Sequence, residues 1–180
     1  MHTVLLSLAR GAIKEVFDPT CALDVSALKV QHPALLVPRA TFVTLTLEGE
    51  LRGCIGTLEA YRPLADDLIA NAKAAAFEDP RFYPLSPTEF EKTLLEISLL
   101  SPPKKLIYQD VADLKTQVVP GEDGIILQLG HRRATFLPQV WEQLPTFEQF
   151  FSHLCQKAGL GPQCLASHPD IYRYRVEKIR

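Results

Sequence analysis

The 180-residue chain is predicted to fold as α+β, with a mostly antiparallel sheet and flanking helices. Segments with helical spacing and segments with strand alternation are mixed rather than regularly alternating, which argues against a doubly wound parallel sheet. Two pairs of strand-like segments are joined by short glycine-containing turns, the mark of hairpins. The 14 prolines fall at the ends of these segments, where a missing N–H and a fixed φ do least harm.

Val4, Leu5, Leu8, Ala9, Ala12, Ile13 and Val16 recur at helical spacing, so residues 4–17 form an amphipathic helix that stops before Asp18-Pro19. Residues 18–38 form a loop with room for one short helix. Ala40 to Leu47 and Leu51 to Leu58 make a hairpin around Glu48-Gly49-Glu50. A three-residue turn pairs Leu47 with Leu51, Leu45 with Gly53 and Val43 with Ile55, placing every large aliphatic on one face; a slip of one residue would scatter them. The other face then carries Thr44 across from Cys54 and Thr46 across from Arg52.

Pro63 opens a helix marked by Leu64, Leu68, Ile69, Ala72, Ala75 and Ala76, ending near Glu78. Asp79 to Pro84 holds two prolines and forms an ordered turn. Ser86-Pro87-Thr88-Glu89 reads as a capping box starting a short helix. Leu94 to Leu100 is a strand closed by Ser101-Pro102-Pro103, and Asp110 to Lys115 is another short helix. Gly124 to Leu129 and Ala134 to Leu137 form a second hairpin. Pro138 leads a helical stretch through Trp141, and Thr146-Phe147-Glu148-Gln149 is a second capping box for a helix ending at Gly159. Tyr172 to Ile179 is a final strand. The length suits one compact domain over residues 1–180, or two small lobes sharing one core.

The net charge is −2, and no Lys/Arg run exceeds two residues. A nucleic-acid or anionic-membrane surface calls for a basic stripe, so neither partner is expected. The apolar stretches are too short to cross a bilayer. Met1-His2-Thr3 lacks a charged leader region, and the expected location is the cytoplasm. Cys21, Cys54, Cys155 and Cys164 show no two-residue spacing, so reduced thiols are expected. His2, His32, His153 and His168 show no metal-ligand spacing. No Gly-rich loop joins a strand to a helix. No metal or cofactor is expected.

The richest segment is Leu51-Arg52-Gly53-Cys54-Ile55-Gly56-Thr57. Strand alternation puts Arg52 and Cys54 on one face, roughly 7 Å apart, with Gly56 leaving the next position open. A guanidinium beside a thiol favours the thiolate. Cys54 and Arg52 are therefore the candidate catalytic pair, Arg52 serving to orient a carboxylate or phosphate. The structural alternatives are a small core cysteine and a strand arginine in an ion pair.

This segment resembles the hallmark of the AMMECR domain family, whose bacterial and archaeal members are called AmmeMemoRadiSam system protein A. The likeness continues through Ala40-Thr41-Phe42-Val43-Thr44-Leu45, Ala74 to Phe82, and Leu99-Leu100-Ser101-Pro102-Pro103. It continues further in Gly124 to Leu127, Ala134 to Trp141, and Lys157-Ala158-Gly159-Leu160. The resemblance implies two unequal α+β lobes with the cysteine motif near a cleft between them. It also implies company: a Memo-type protein and a radical S-adenosylmethionine enzyme. It supplies no settled reaction. Two positions depart from the family pattern: Asp123 stands where members often have His, and Gln163-Cys164-Leu165 lacks a nearby Trp.

Candidate ligand-contacting residues are Thr44, Thr46, Gly53 and Gly56 on the hairpin, with Asp79, Arg81 and Phe82 as a rigid rim. Tyr83 is a further wall. His131 is the histidine best suited to pair with Cys54. For Asp79 and Arg81 the alternative is a locally bonded turn; for His131 it is a solvated loop. Two functions follow: a site that binds or acts on a small metabolite through Cys54, or a non-catalytic partner-binding module using the same surface.

Overall fold

A computed structural model describes every residue from Met1 to Arg180. The chain forms two units, Met1–Leu100 with Glu177–Arg180, and Ser101–Val176. The first holds helices α1 (His2–Phe17), α2 (Val25–Gln31), α3 (Leu64–Phe77) and α4 (Pro87–Lys92), and strands β1 (Thr41–Leu47), β2 (Glu50–Gly56) and β3 (Thr93–Leu100). The second holds β4 (Lys104–Lys105), α5 (Val111–Gln117), β5 (Gly124–Leu129), β6 (Arg132–Phe136), α6 (Phe147–Lys157) and β7 (Asp170–Tyr174). Strand β8 (Val176–Ile179) then returns the chain to the first unit's sheet. The sheets run β2-β1-β3-β8 and β4-β7-β5-β6, giving the α+β architecture the pattern predicts.

In the first unit, α1 buries Leu5, Leu8, Ala9, Ala12 and Ile13, the stripe its spacing predicts. Helix α3 lies on α1 and on strands β1 and β2. Its alanines allow a very close approach: a Cβ on Gly53 would stand 2.0 Å from the Ala75 carbonyl oxygen, so β2 must carry glycine there. Val43, Leu45, Leu95, Ile97, Leu99 and Ile179 fill the sheet's inner face. In the second unit, Ile125, Leu127 and Ile171 pack with Phe150, Phe151 and Leu154. The Trp141 ring stacks on Phe150 at 3.8 Å, and its indole N–H donates to the Asp123 carbonyl at 2.8 Å. Each unit has its own hydrophobic cluster.

Other details also depart from the sequence reading. Val43↔Ile55, Thr44↔Cys54 and Leu45↔Gly53 pair as anticipated, but Thr46 then faces Leu51, and Leu47 faces Glu50. The turn has two residues, Glu48 and Gly49, with φ of 53° and 86°. Both angles are left-handed, the hairpin geometry that matches strand twist. A bulge at Arg52 absorbs the extra residue. The single final strand is two strands in different sheets. At Arg175 the ladder gives way to Ser101, whose Oγ accepts from the Arg175 N–H and whose own N–H donates to the Arg175 carbonyl, both at 2.8 Å. Strand β4 has no counterpart in the sequence reading. Finally, Cys155 and Cys164 form a disulfide. The turn after α6 brings Cys164 back against Cys155, with both buried, so the expectation of free thiols applies only to Cys21 and Cys54.

Candidate functional site

Strand β2 is the edge of its sheet, and an edge exposes unpaired backbone groups. At Cys54 these groups are satisfied by side chains from the turn after α3. The Cys54 N–H donates to Asp79 Oδ2 at 2.9 Å, and Arg81 Nη2 donates to the Cys54 carbonyl at 3.4 Å. The Cys54 N–H therefore points away from β1, which makes Thr44↔Cys54 a non-hydrogen-bonded pair with close side chains. Cys54 Sγ and Thr44 Oγ1 are 3.3 Å apart. The thiol is free and half-buried, on the sheet face opposite the aliphatic core.

Asp79 is buried and accepts from Arg81 Nε, Arg81 Nη2 and the Arg81 N–H as well. The Arg81 side chain is the main reason its carboxyl is held well below the usual carboxylate range; burial opposes this, and the Cys54 and Arg81 backbone N–H groups add to it. The same bond pushes the Arg81 guanidinium pKa further up; burial opposes this, and the charge of Asp79 adds to it.

Arg52 has different partners. Its Nε and Nη2 donate to the two Glu89 oxygens at 3.0 and 3.1 Å, and Nη2 also reaches the Tyr83 carbonyl at 2.8 Å. Glu89 completes the capping box of α4 with Ser86. Its pKa is lowered to about 2, chiefly by the Arg52 bond and then by the Ser86 N–H. Arg52 Nη1 is buried with no hydrogen-bond partner. The Phe82 ring centroid is 5.7 Å from Arg52 Cζ and 5.5 Å from Arg81 Cζ, within cation–π reach of both.

The structure therefore brings Thr44, Cys54, Asp79, Arg81 and Phe82 together. Arg81, not Arg52, is the guanidinium bonded at Cys54. Arg52 is the bulged residue, and its partners are Glu89 and the Tyr83 carbonyl. Thr46 faces Leu51, and Gly53 faces α3. The position beside Gly56 is not open: a Cβ there would stand 2.2 Å from the Phe42 ring. His131 occupies the exposed turn between β5 and β6 in the second unit.

Sequence reasoning missed three groups. Glu96 follows Thr44 across the sheet and pairs with Lys178 at 3.3 Å and Arg180 at 2.5 Å. Burial raises its pKa, but these two cations outweigh that and hold it down. A lone acid at an outward position of an aliphatic strand was the available signal. Glu89, a cap by its sequence context, also takes both bonds from Arg52. The third group is a buried cluster around Asp67, which accepts from the Thr41 N–H and hydroxyl, Thr57, Arg62 and Asn71 at 2.7–3.0 Å. Asp67 and Asn71 stand one turn apart among the core-facing residues of α3, a pattern visible in the sequence.

Chemically, the site offers a free thiol, a hydroxyl in contact with it, and a guanidinium oriented by a buried carboxylate. Arg81 attracts a thiolate or an anionic ligand, while Asp79 beside the Cys54 N–H opposes the attraction. No group of three or more His, Cys, Asp or Glu residues is arranged to hold a metal ion. No helix is long and apolar enough to cross a membrane.

A family model described as AMMECR1 matches residues 6–179. A protein of Methanothermobacter thermautotrophicus is 40% identical over 145 residues, covering 77% of this chain and 73% of that protein. One from Methanopyrus kandleri is 37% identical over 181 residues, covering 96% and 84%. The crystal structure of an uncharacterised protein from Pyrococcus horikoshii superposes with a TM-score of 0.76 at 32% identity, covering 97% of this chain and 88% of that one.

Proposed function

Because this chain belongs to the AMMECR1 family, we propose that the first unit's Cys54 face binds a small anionic metabolite, with the thiol available for chemistry on it. The observation that carries this reading is the Arg81 clamp. A guanidinium fixed by Asp79 is bonded to the backbone of a residue whose thiol is free and half-buried. In this reading Arg81 holds a carboxylate or phosphate of the ligand, Thr44 orients the sulfur, and Cys54 Sγ meets the atom to be modified. The family resemblance supplies the setting, in concert with a Memo-like protein and a radical S-adenosylmethionine enzyme.

Limited alkylation with iodoacetamide, mapped by mass spectrometry, tests the reading with an internal control, since Cys21 is also free and half-buried. Cys54 reacts faster than Cys21, Arg81→Gln slows it, and inorganic phosphate protects it. Equal rates at the two thiols, with no protection, overturn the proposal.

A second reading has its own observation. Tyr83 is 90% exposed, yet its carbonyl is held by Arg52. A large aromatic ring displayed from a fixed backbone suits a partner-binding hot spot. In a pull-down with the Memo-like protein, loss of capture by Tyr83→Ala with unchanged Cys54 alkylation favours the non-catalytic module.

A further inference from the structure

We infer that the second unit carries its own ligand pocket, shaped for a small molecule with an apolar body and one anionic end, such as a medium-chain carboxylate. The cavity measures about 790 Å³, within the size range of small-molecule sites. Helix α5, helix α6 and the segment around Cys164 line it, and it is open on one side to solvent. Val111, Phe147, Phe151 and Leu165 supply its apolar surface, with the two phenylalanine rings 4.4 Å apart. Two of the walls are tied together covalently: Cys155 of α6 bonds to Cys164, which stands between the lining residues Gln163 and Leu165. That side of the pocket is held in place before a ligand arrives, which lowers the ordering cost of binding.

Its charges indicate the sign of the ligand. Lys115 Nζ sits 6.0 Å over the Phe147 ring and donates to Glu148 at 2.7 Å. Both of these side chains are more than half exposed, and such a pair is weak enough for a ligand carboxylate to take the ammonium over. His153 also lines the pocket. Its Nδ1–H donates to the Gln149 carbonyl at 2.8 Å, which leaves Nε2 of the neutral ring as an acceptor for a ligand hydroxyl rather than a contact for a carboxylate oxygen. The first turn of the 11-residue helix α6 lies here as well, bringing the helix's positive end. Lys115 and the positive end of α6 face one carboxylate, Glu148, so an anionic end is favoured over a cationic one.

The test is an amide NMR titration of the full chain with decanoate, decylamine and 1-decanol. Decanoate shifts saturably the amides of residues 111–115, 147–153 and 162–166, with affinity about ten-fold above that of decylamine or 1-decanol. Lys115→Gln reduces decanoate affinity to the level of 1-decanol and leaves 1-decanol unchanged. Equal affinity for decylamine and decanoate, shifts centred on other segments, or a decanoate preference that survives Lys115→Gln overturns the proposal. Cys54 and Arg81 are not in this pocket's lining, so the result is independent of the alkylation test.

Discussion

Two arginine–carboxylate pairs flank Phe82, and their burial is inverted. In the Arg52–Glu89 pair the cation is the covered partner, with side-chain exposures of 12% and 34%. In the Arg81–Asp79 pair the anion is covered, at 54% and 2%. The same chemistry thus has two consequences. Arg52 is a strut, enclosed and spent on α4 and the Tyr83 carbonyl. In the other pair Asp79 is the strut, and Arg81 keeps half of its surface open to an incoming ligand. The covered partner is the one that suffers when its mate is removed, because a buried charge left alone keeps its desolvation penalty.

That asymmetry is open to measurement, beginning with its largest effect. Arg81→Ala strands the Asp79 carboxylate and is expected to lower stability by about 2–3 kcal/mol, read from the urea midpoint, below the range for a fully enclosed pair because Arg81 is half in water. A loss no greater than that of an ordinary surface substitution breaks the comparison. Glu89→Gln keeps the capping box, which accepts Gln, but withdraws the charge opposite Arg52. The expected loss is about 1–2 kcal/mol, with no change in the Cys54 alkylation rate.

Acid sharpens the comparison further. Glu89 has a folded pKa of about 2 against an ordinary 4.5, so its contribution is fully present above pH 4.5. It is lost as the pH falls from 4.5 toward 2, because the unfolded chain takes up the proton first. Asp79 is depressed in the same direction from 3.8. Urea midpoints should fall across that window, and the fall should be shallower in Glu89→Gln. The smallest effect is expected of Cys54→Ser, about 0.5 kcal/mol or less at a half-buried position. Its measurable consequence is loss of the alkylated peptide, which separates thiol chemistry from stability.

Much of the fold was legible because local patterns dictated it. The stripe of α1, the alanine face of α3, and the capping boxes at Ser86 and Thr146 each involve residues within a few positions of one another, and both boxes form with their reciprocal bonds. Hairpin register was legible from Val43 to Leu45, where aliphatic burial fixes it. It was lost near the turn, where a left-handed two-residue turn and a bulge satisfy the same burial. The site was less legible. Asp79 and Cys54 are separated by 25 positions, and no spacing rule shows that a turn will bond a strand edge. Arg52 is bonded instead to Glu89 and the Tyr83 carbonyl, 37 and 31 positions away, which no local pattern reveals. The Cys155–Cys164 disulfide spans nine positions and follows no short motif; only the fold of the turn after α6 makes it geometrically available.

One consequence of the Asp79–Arg81 arrangement concerns access. An unguarded outer strand invites a sister chain to zip onto it. Here the amide and carbonyl of the thiol-bearing residue are already occupied by an acid and a base that imitate a neighbouring strand. Lateral recruitment is blocked at that residue, and a visitor must come to the sulfur from above the sheet.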